Sequence, residues 1–161
     1  MMEMKGIENI RIDDRLIHGQ VATMWTNRLG ATRLMVVNDE VANNDIQKQV
    51  LRMAVPAGIS SSIITTEKAI TNIGAGKYEG QKVLLIVKSP VDLVPFLERD
   101  FELKSINVGN MSNRRNTQVL RPNISVSDAE REAFNKLLDA GIEITTIMTP
   151  DDKKTYLKDI L

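Results

Sequence analysis

The chain has no cysteine and only one histidine, His18, among its 161 residues. Without cysteine there can be no disulfide, no thiolate nucleophile and no Cys-based zinc site, and one imidazole cannot build a His-rich metal centre within a chain. No metal site and no bound cofactor are therefore expected. Neither sign of charge is in excess: 21 basic and 21 acidic side chains cancel, so no overall field draws the chain to nucleic acid or anionic lipid. No run approaches the ~18 apolar residues of a membrane-spanning helix. Met1 to Lys5 leads into mixed polar sequence without the apolar stretch of a secretory signal. With 42% hydrophobic and 26% charged residues, the composition is that of an ordinary globular protein of the cytosol. Its length suggests one domain, residues 1–161, able to bury roughly 70% of its unfolded surface.

Short β-branched runs recur with helical patterns between them. Strands are expected at Ile7–Ile12, Arg33–Asn38, Ser61–Thr65, Lys82–Val87, Ser105–Val108 and Glu143–Met148. Leu34 to Val37 and Val83 to Val87 are continuously apolar, as in strands covered on both faces. One helix should start near Gly19, with Val21, Ala22, Trp25 and Leu29 as its apolar stripe, and a second near Asp45, with Ile46, Val50, Leu51 and Ala54. Asp39-Glu40 looks like a helix N-terminus. Ser127-Asp-Ala-Glu130 is a capping box before Ala133, Phe134, Leu137 and Leu138, and Gly141 is its stop signal. Ser89-Pro90 also starts a helix, which Pro95 should keep short or kinked. Val108 to Ile124 reads as irregular, with a short hairpin through Thr117-Gln-Val119. Strands alternating with helices at this spacing predict an α/β fold, with a mainly parallel central sheet and helices on both faces.

His18 lies in Arg11-Ile-Asp-Asp-Arg-Leu-Ile-His-Gly-Gln-Val21, directly after the first strand. Open α/β sheets bind ligands outside the carboxyl ends of their strands. Asp13-Asp14-Arg15 is a charged turn that would be costly to bury unless each charge were paired. Arg15 can offer a planar, two-pronged donor to phosphate oxygens. Gly19 has no side chain, so the amides of Gly19 and Gln20 could approach an anion at the positive end of the following helix. A free imidazole, with a pKa near ~6.5, is largely neutral and hence nucleophilic around neutral pH. Together these residues point to a histidine that handles phosphate. The plainer reading has Asp14 and Arg15 merely pairing in a solvated turn.

Other motifs fail on inspection. Gly74-Ala-Gly-Lys77 resembles the end of a P-loop but would need glycine at Thr71 and Ser or Thr at Tyr78, and it precedes a strand. The same glycines fail G-x-G-x-x-G at Glu79. There is no G-x-S-x-G elbow for a hydrolase. Asn123-Ile-Ser125 is a glycosylation sequon, without meaning in an unsecreted chain. Asn113-Arg-Arg-Asn116 is a small basic patch whose Arg114 and Arg115 are candidates for the rim of a partner interface.

The Arg11–Val21 segment closely resembles the IIB subunits of the mannose/fructose/sorbose family of the bacterial sugar phosphotransferase system. The resemblance continues through Val36-Val-Asn-Asp-Glu-Val41, Lys77-Tyr-Glu-Gly80 and Ile106-Asn-Val-Gly-Asn-Met111, in order along the chain. Asn110 departs from it, standing where the family often has a second glycine. The resemblance implies a mainly parallel α/β sheet with a C-terminal antiparallel portion. It implies that His18 takes a phosphoryl group, on Nδ1, from a phosphohistidine of the IIA protein or domain. The group then passes to a sugar hydroxyl, usually at carbon six, during uptake through the membrane subunits IIC and IID. Arg15 would clamp the phosphoryl group with the Gly19 and Gln20 amides, and Asp14 or Asp13 would orient the ring. The chain would work in the cytoplasm, attached to the membrane only through IIC and IID. Mannose, fructose, sorbose and N-acetylgalactosamine are all compatible substrates. Two alternatives are a regulatory module on the same fold, switched by phosphorylation, and an unrelated small-molecule-binding α/β domain.

Overall fold

The computed structural model describes all 161 residues. Its first half holds β1 (Met2–Glu3), β2 (Ile7–Asp13), α1 (Gly19–Leu29), β3 (Arg33–Val37), α2 (Asp39–Ala42), α3 (Asp45–Met53), β4 (Ser60–Ile64) and α4 (Thr66–Gly74). The second half holds β5 (Val83–Val87), α5 (Val94–Glu98), β6 (Phe101–Glu102), β7 (Ile106–Asn110), β8 (Gln118–Arg121), β9 (Ile124–Val126), α6 (Asp128–Asp139) and β10 (Ile144–Thr145). Six strands form one sheet in the order β10-β7-β2-β5-β3-β4, and every pairing in it is parallel. The antiparallel portion is the separate β8–β9 hairpin, the one read around Thr117–Val119, together with an antiparallel bridge from Thr145 to Tyr156.

The two faces of the sheet carry unequal cores. Ala69, Ile70 and Ile73 of α4, Phe96 of α5 and Phe134 and Leu137 of α6 join a cluster of 26 buried residues on one face. The other face has a cluster of 11, built on Ala22 and Trp25 of α1 with Leu34, Val36, Leu84 and Ile86 of the sheet. That smaller apolar supply leaves polar side chains of β2 to be accommodated on the same face.

Local signals account for most boundaries. The Ser127 hydroxyl accepts from the Glu130 amide while the Glu130 carboxylate accepts from the Ser127 amide, completing the capping box of α6. Asn38 caps α2 by accepting from the Val41 amide at 2.9 Å. Pro95 does shorten its helix: Pro90–Leu93 is a 3-10 turn and only Val94–Glu98 is α-helical. Two features escaped the sequence pattern. One is α4, capped by Thr65; the other is the two-residue parallel pairing of β1 with β6.

The helix expected near Asp45 forms as α3, but its apolar stripe is largely uncovered: Ile46 is 76% exposed and Val50 61%. Only Leu51 and, beyond the helix, Ala54 pack against the smaller core. Helical periodicity reports that a face is apolar and does not say what covers it.

Candidate functional site

The alternation of β2 puts Ile10 and Ile12 into the larger core and turns Arg11 and Asp13 to the opposite face. There Arg11 is 4% exposed and Asp13 1%. Charges buried so deeply persist only when paired. Arg11 Nη2 donates to Asp13 Oδ2 at 3.4 Å. Arg15 donates to the same carboxylate three times: its backbone N–H and Nε to Oδ1 at 3.0 and 3.2 Å, and Nη2 to Oδ2 at 3.3 Å. Asp13 thus bridges two guanidinium groups, and one anion between two cations leaves a net positive charge.

Burial lowers the Arg11 pKa and the adjacent Asp13 carboxylate opposes that shift; a guanidinium stays charged throughout. Arg11 also donates to the Met148 carbonyl at 3.3 Å, which accepts from Trp25 Nε1 at 3.0 Å as well. Its guanidinium carbon lies 5.0 Å from the centre of the Trp25 ring, a contact favourable to a cation. Room for that guanidinium comes from Gly109, where any Cβ would overlap it.

Beyond β2 the chain turns tightly. Leu16 N–H donates to the Asp13 carbonyl at 2.9 Å, and Leu16 takes a left-handed backbone with φ +61°. Such strain costs ~1–3 kcal/mol and persists where surrounding packing enforces it. Here Leu16 and Ile17 are buried in the smaller core, and these two anchors leave His18 outside. His18 is exposed. It is the N-cap of α1, with extended backbone and no capping bond from its ring. The first backbone bond of the helix runs from Ala22 N to His18 O at 3.2 Å, so the Gly19, Gln20 and Val21 amides have no partner within the helix. Gly19 itself has φ +45°, which favours glycine there.

Topology places this turn where a site is expected. From β2 the chain crosses to α1 on the smaller-core face, whereas from the adjacent β5 it crosses to α5 on the larger-core face. Connections that diverge from neighbouring parallel strands open a crevice at their carboxyl ends. His18, Asp13, Leu16, Val21 and Trp25 line a small cleft at that point.

Asp14, read as the partner of the His18 ring, is instead spent on the neighbouring loop. Its Oδ1 accepts from Asn110 Nδ2 and its Oδ2 from the Ser112 amide, both at 2.7 Å. Asp13, the alternative, is spent on the two arginines. The reason is the same for both: each carboxylate stands beside donors that would otherwise be unpaired at a strand end. Asn110, the departure from the family pattern, needs no left-handed backbone, and its side chain supplies the bond to Asp14. The two rim candidates also differ. Arg114 pairs with Glu130, which is 6% exposed and accepts from the Ser89 hydroxyl at 2.8 Å. Arg114 therefore anchors its loop, while Arg115 is exposed. Along the same rim, burial pushes the Asp92 carboxyl above its ordinary range, with Asp39 nearby adding to the shift.

Arg11, Gly109, Asn110 and Ser112 were not read as site residues. A signal for Arg11 was present: Arg11 and Asp13 alternate with Ile10 and Ile12 along β2, and charges so placed beside core positions demand buried partners. Nothing comparable marked Ser112, whose backbone supplies the contact.

The sequence matches the family described as PTS system sorbose subfamily IIB component over residues 7–161. It is 36% identical over 151 residues to the PTS system mannose-specific EIIAB component of Escherichia coli K12, covering 94% of this chain but only 47% of that protein. This chain therefore spans about half the length of that relative. It is 38% identical over 140 residues to the N-acetylgalactosamine-specific phosphotransferase enzyme IIB component 2 of the same organism, covering 87% and 88% of the two chains. The crystal structure of the IIBSor domain of the sorbose permease from Klebsiella pneumoniae superposes with a TM-score of 0.90 at 28% identity, over 99% of this chain and 95% of that one.

Proposed function

The chain belongs to the sorbose subfamily of phosphotransferase-system IIB components, and from that membership we propose that His18 is the residue that carries the phosphoryl group. Its donor is a phosphohistidine on a IIA protein or domain. His18 Nδ1 attacks phosphorus in line, a new N–P bond forms, the donor's N–P bond breaks, and the donor imidazole leaves neutral. In the second transfer a sugar hydroxyl oxygen attacks the same phosphorus. The His18 N–P bond breaks, and the hydroxyl proton is released as the sugar phosphate forms.

The observation that carries this reading is an exposed histidine, three residues after an arginine whose fork is held by Asp13, at the crevice between β2 and β5. A phosphoryl group in transit is stabilised chiefly by position and by charge. Arg15 supplies the planar donors, and the Gly19 and Gln20 amides supply the positive end of α1. No helix is long and apolar enough to cross a membrane. On the family reading, the sugar passes through the IIC and IID subunits, with this protein on their cytoplasmic side. The relatives named above carry mannose, N-acetylgalactosamine and sorbose in their names at comparable identity. That spread supports leaving the choice of sugar to the membrane subunits.

The test is phosphoryl transfer from phosphoenolpyruvate through the general phosphotransferase proteins and a IIA protein, read by intact mass. One acid-labile phosphate is expected on the wild type. Arg15→Lys keeps the charge and loses the fork, so transfer should slow by about tenfold to a hundredfold. Transfer to Arg15→Lys at the wild-type rate would remove the clamp from the mechanism.

A further inference from the structure

Helix α3 buries none of its residues. Ile46, Val50 and Met53, spaced four and three apart, are 76%, 61% and 86% exposed and so form one apolar stripe. An exposed stripe of this kind on an otherwise polar helix marks a place where something docks. Its position narrows the choice. Ile46 and Val50 share a groove of about 220 Å³ with Arg15, Leu16 and Lys88. The stripe therefore runs directly into the turn that carries His18.

Resting on the carrier reading, we propose that the α3 stripe and this groove are the docking surface for the phosphorylated IIA donor. Three arguments select that occupant. His18 receives its phosphoryl group by direct transfer, so the donor's surface must lie against the turn that carries it, and Arg15 and Leu16 of that turn line the groove. The charge is complementary as well. Asp14 is the only acid lining the groove, against the two cations Arg15 and Lys88, and the Asp13 beneath Arg15 is shared with Arg11. The balance is therefore positive, and positive charge suits a partner that presents a phosphohistidine. The third argument is size. Three side chains on a nine-residue helix fall well short of the ~800 Å² per partner of a standard stable interface. They suit a partner that must bind, transfer and leave, and would not hold a second copy of this chain.

Val50→Asp tests the proposal, with Met53→Ser as a second variant at the far end of the stripe. Both sites are exposed, so thermal unfolding should match the wild type, as surface substitutions generally do. Transfer is followed by rapid quench against increasing concentrations of phosphorylated IIA. For Val50→Asp the concentration giving half-maximal rate should rise by about tenfold, with the rate at saturation unchanged. Met53→Ser should raise it by a smaller factor. An unchanged concentration dependence in both variants, with the wild type charging normally, overturns the docking surface and leaves the carrier reading intact. A wild type that IIA cannot charge overturns both. A shift in sedimentation of Val50→Asp relative to a self-associating wild type would assign the stripe to a second copy and overturn the proposal.

Discussion

His18→Ala is expected to accept no acid-labile phosphate under conditions that fully charge the wild type. The composition sharpens this test: the chain holds no other histidine and no cysteine, so no second imidazole or thiol can take the phosphoryl group in its place. The substitution should leave the fold untouched. His18 is exposed, its ring caps nothing in α1, and its neighbours Leu16 and Ile17 hold the turn from below. Melting should therefore change by no more than the ~0.5 kcal/mol typical of surface sites. Intact mass before and after mild acid, with a thermal melt on the same sample, separates loss of the nucleophile from loss of structure. Acid-labile phosphate retained on His18→Ala would place the carrier elsewhere and end the present reading.

Sequence and structure agree where one residue does one local job. The continuous apolar runs at Leu34–Val37 and Val83–Val87 became the two strands β3 and β5 of the inner sheet, buried along nearly their whole length. Ser127 with Glu130 became a complete capping box. The position of His18 followed from the order of elements, because a residue directly after the first strand of a parallel sheet lies at the carboxyl end of its strands. What the sequence could not disclose were contacts made across strands. Asp14 and Asn110 are 96 residues apart and meet only because β7 pairs with β2. The role of Gly109 depends on the path of a guanidinium from the neighbouring strand. Whether an apolar helix face is core or interface is likewise a property of its surroundings. Hence α1 buries Ala22 and Trp25 of its stripe, and α3, with an equally good pattern, buries none of its residues.

The same cross-strand accounting makes Asp13 the most consequential residue that does not touch phosphate. Asp13→Asn keeps the shape and removes the anion between Arg11 and Arg15, leaving two cations facing a neutral amide. Arg11 cannot escape to water: it is 4% exposed, pinned by Gly109 and by the Met148 carbonyl. A buried charge stripped of its partner costs ~3–5 kcal/mol, out of a total stability of ~5–15 kcal/mol. For a chain of this size that predicts a melting temperature lower by about 6–20 °C. Transfer should slow as well, because the amide keeps only one acceptor oxygen: Arg15 loses its Nη2 bond to Oδ2, and its two bonds to Oδ1 lose their charge assistance. The two effects can be separated. Adding Arg11→Met to Asp13→Asn removes the stranded cation and should recover much of the stability, since buried ion pairs are replaceable by apolar side chains. It should not recover the transfer rate, because Arg15 still faces a neutral amide in place of the carboxylate that aims its fork. Recovery of both would mean that Asp13 serves only to neutralise Arg11, and that Arg15 finds the phosphoryl group unaided. Wild-type melting of Asp13→Asn alone would remove the buried triad from the energetics of the fold.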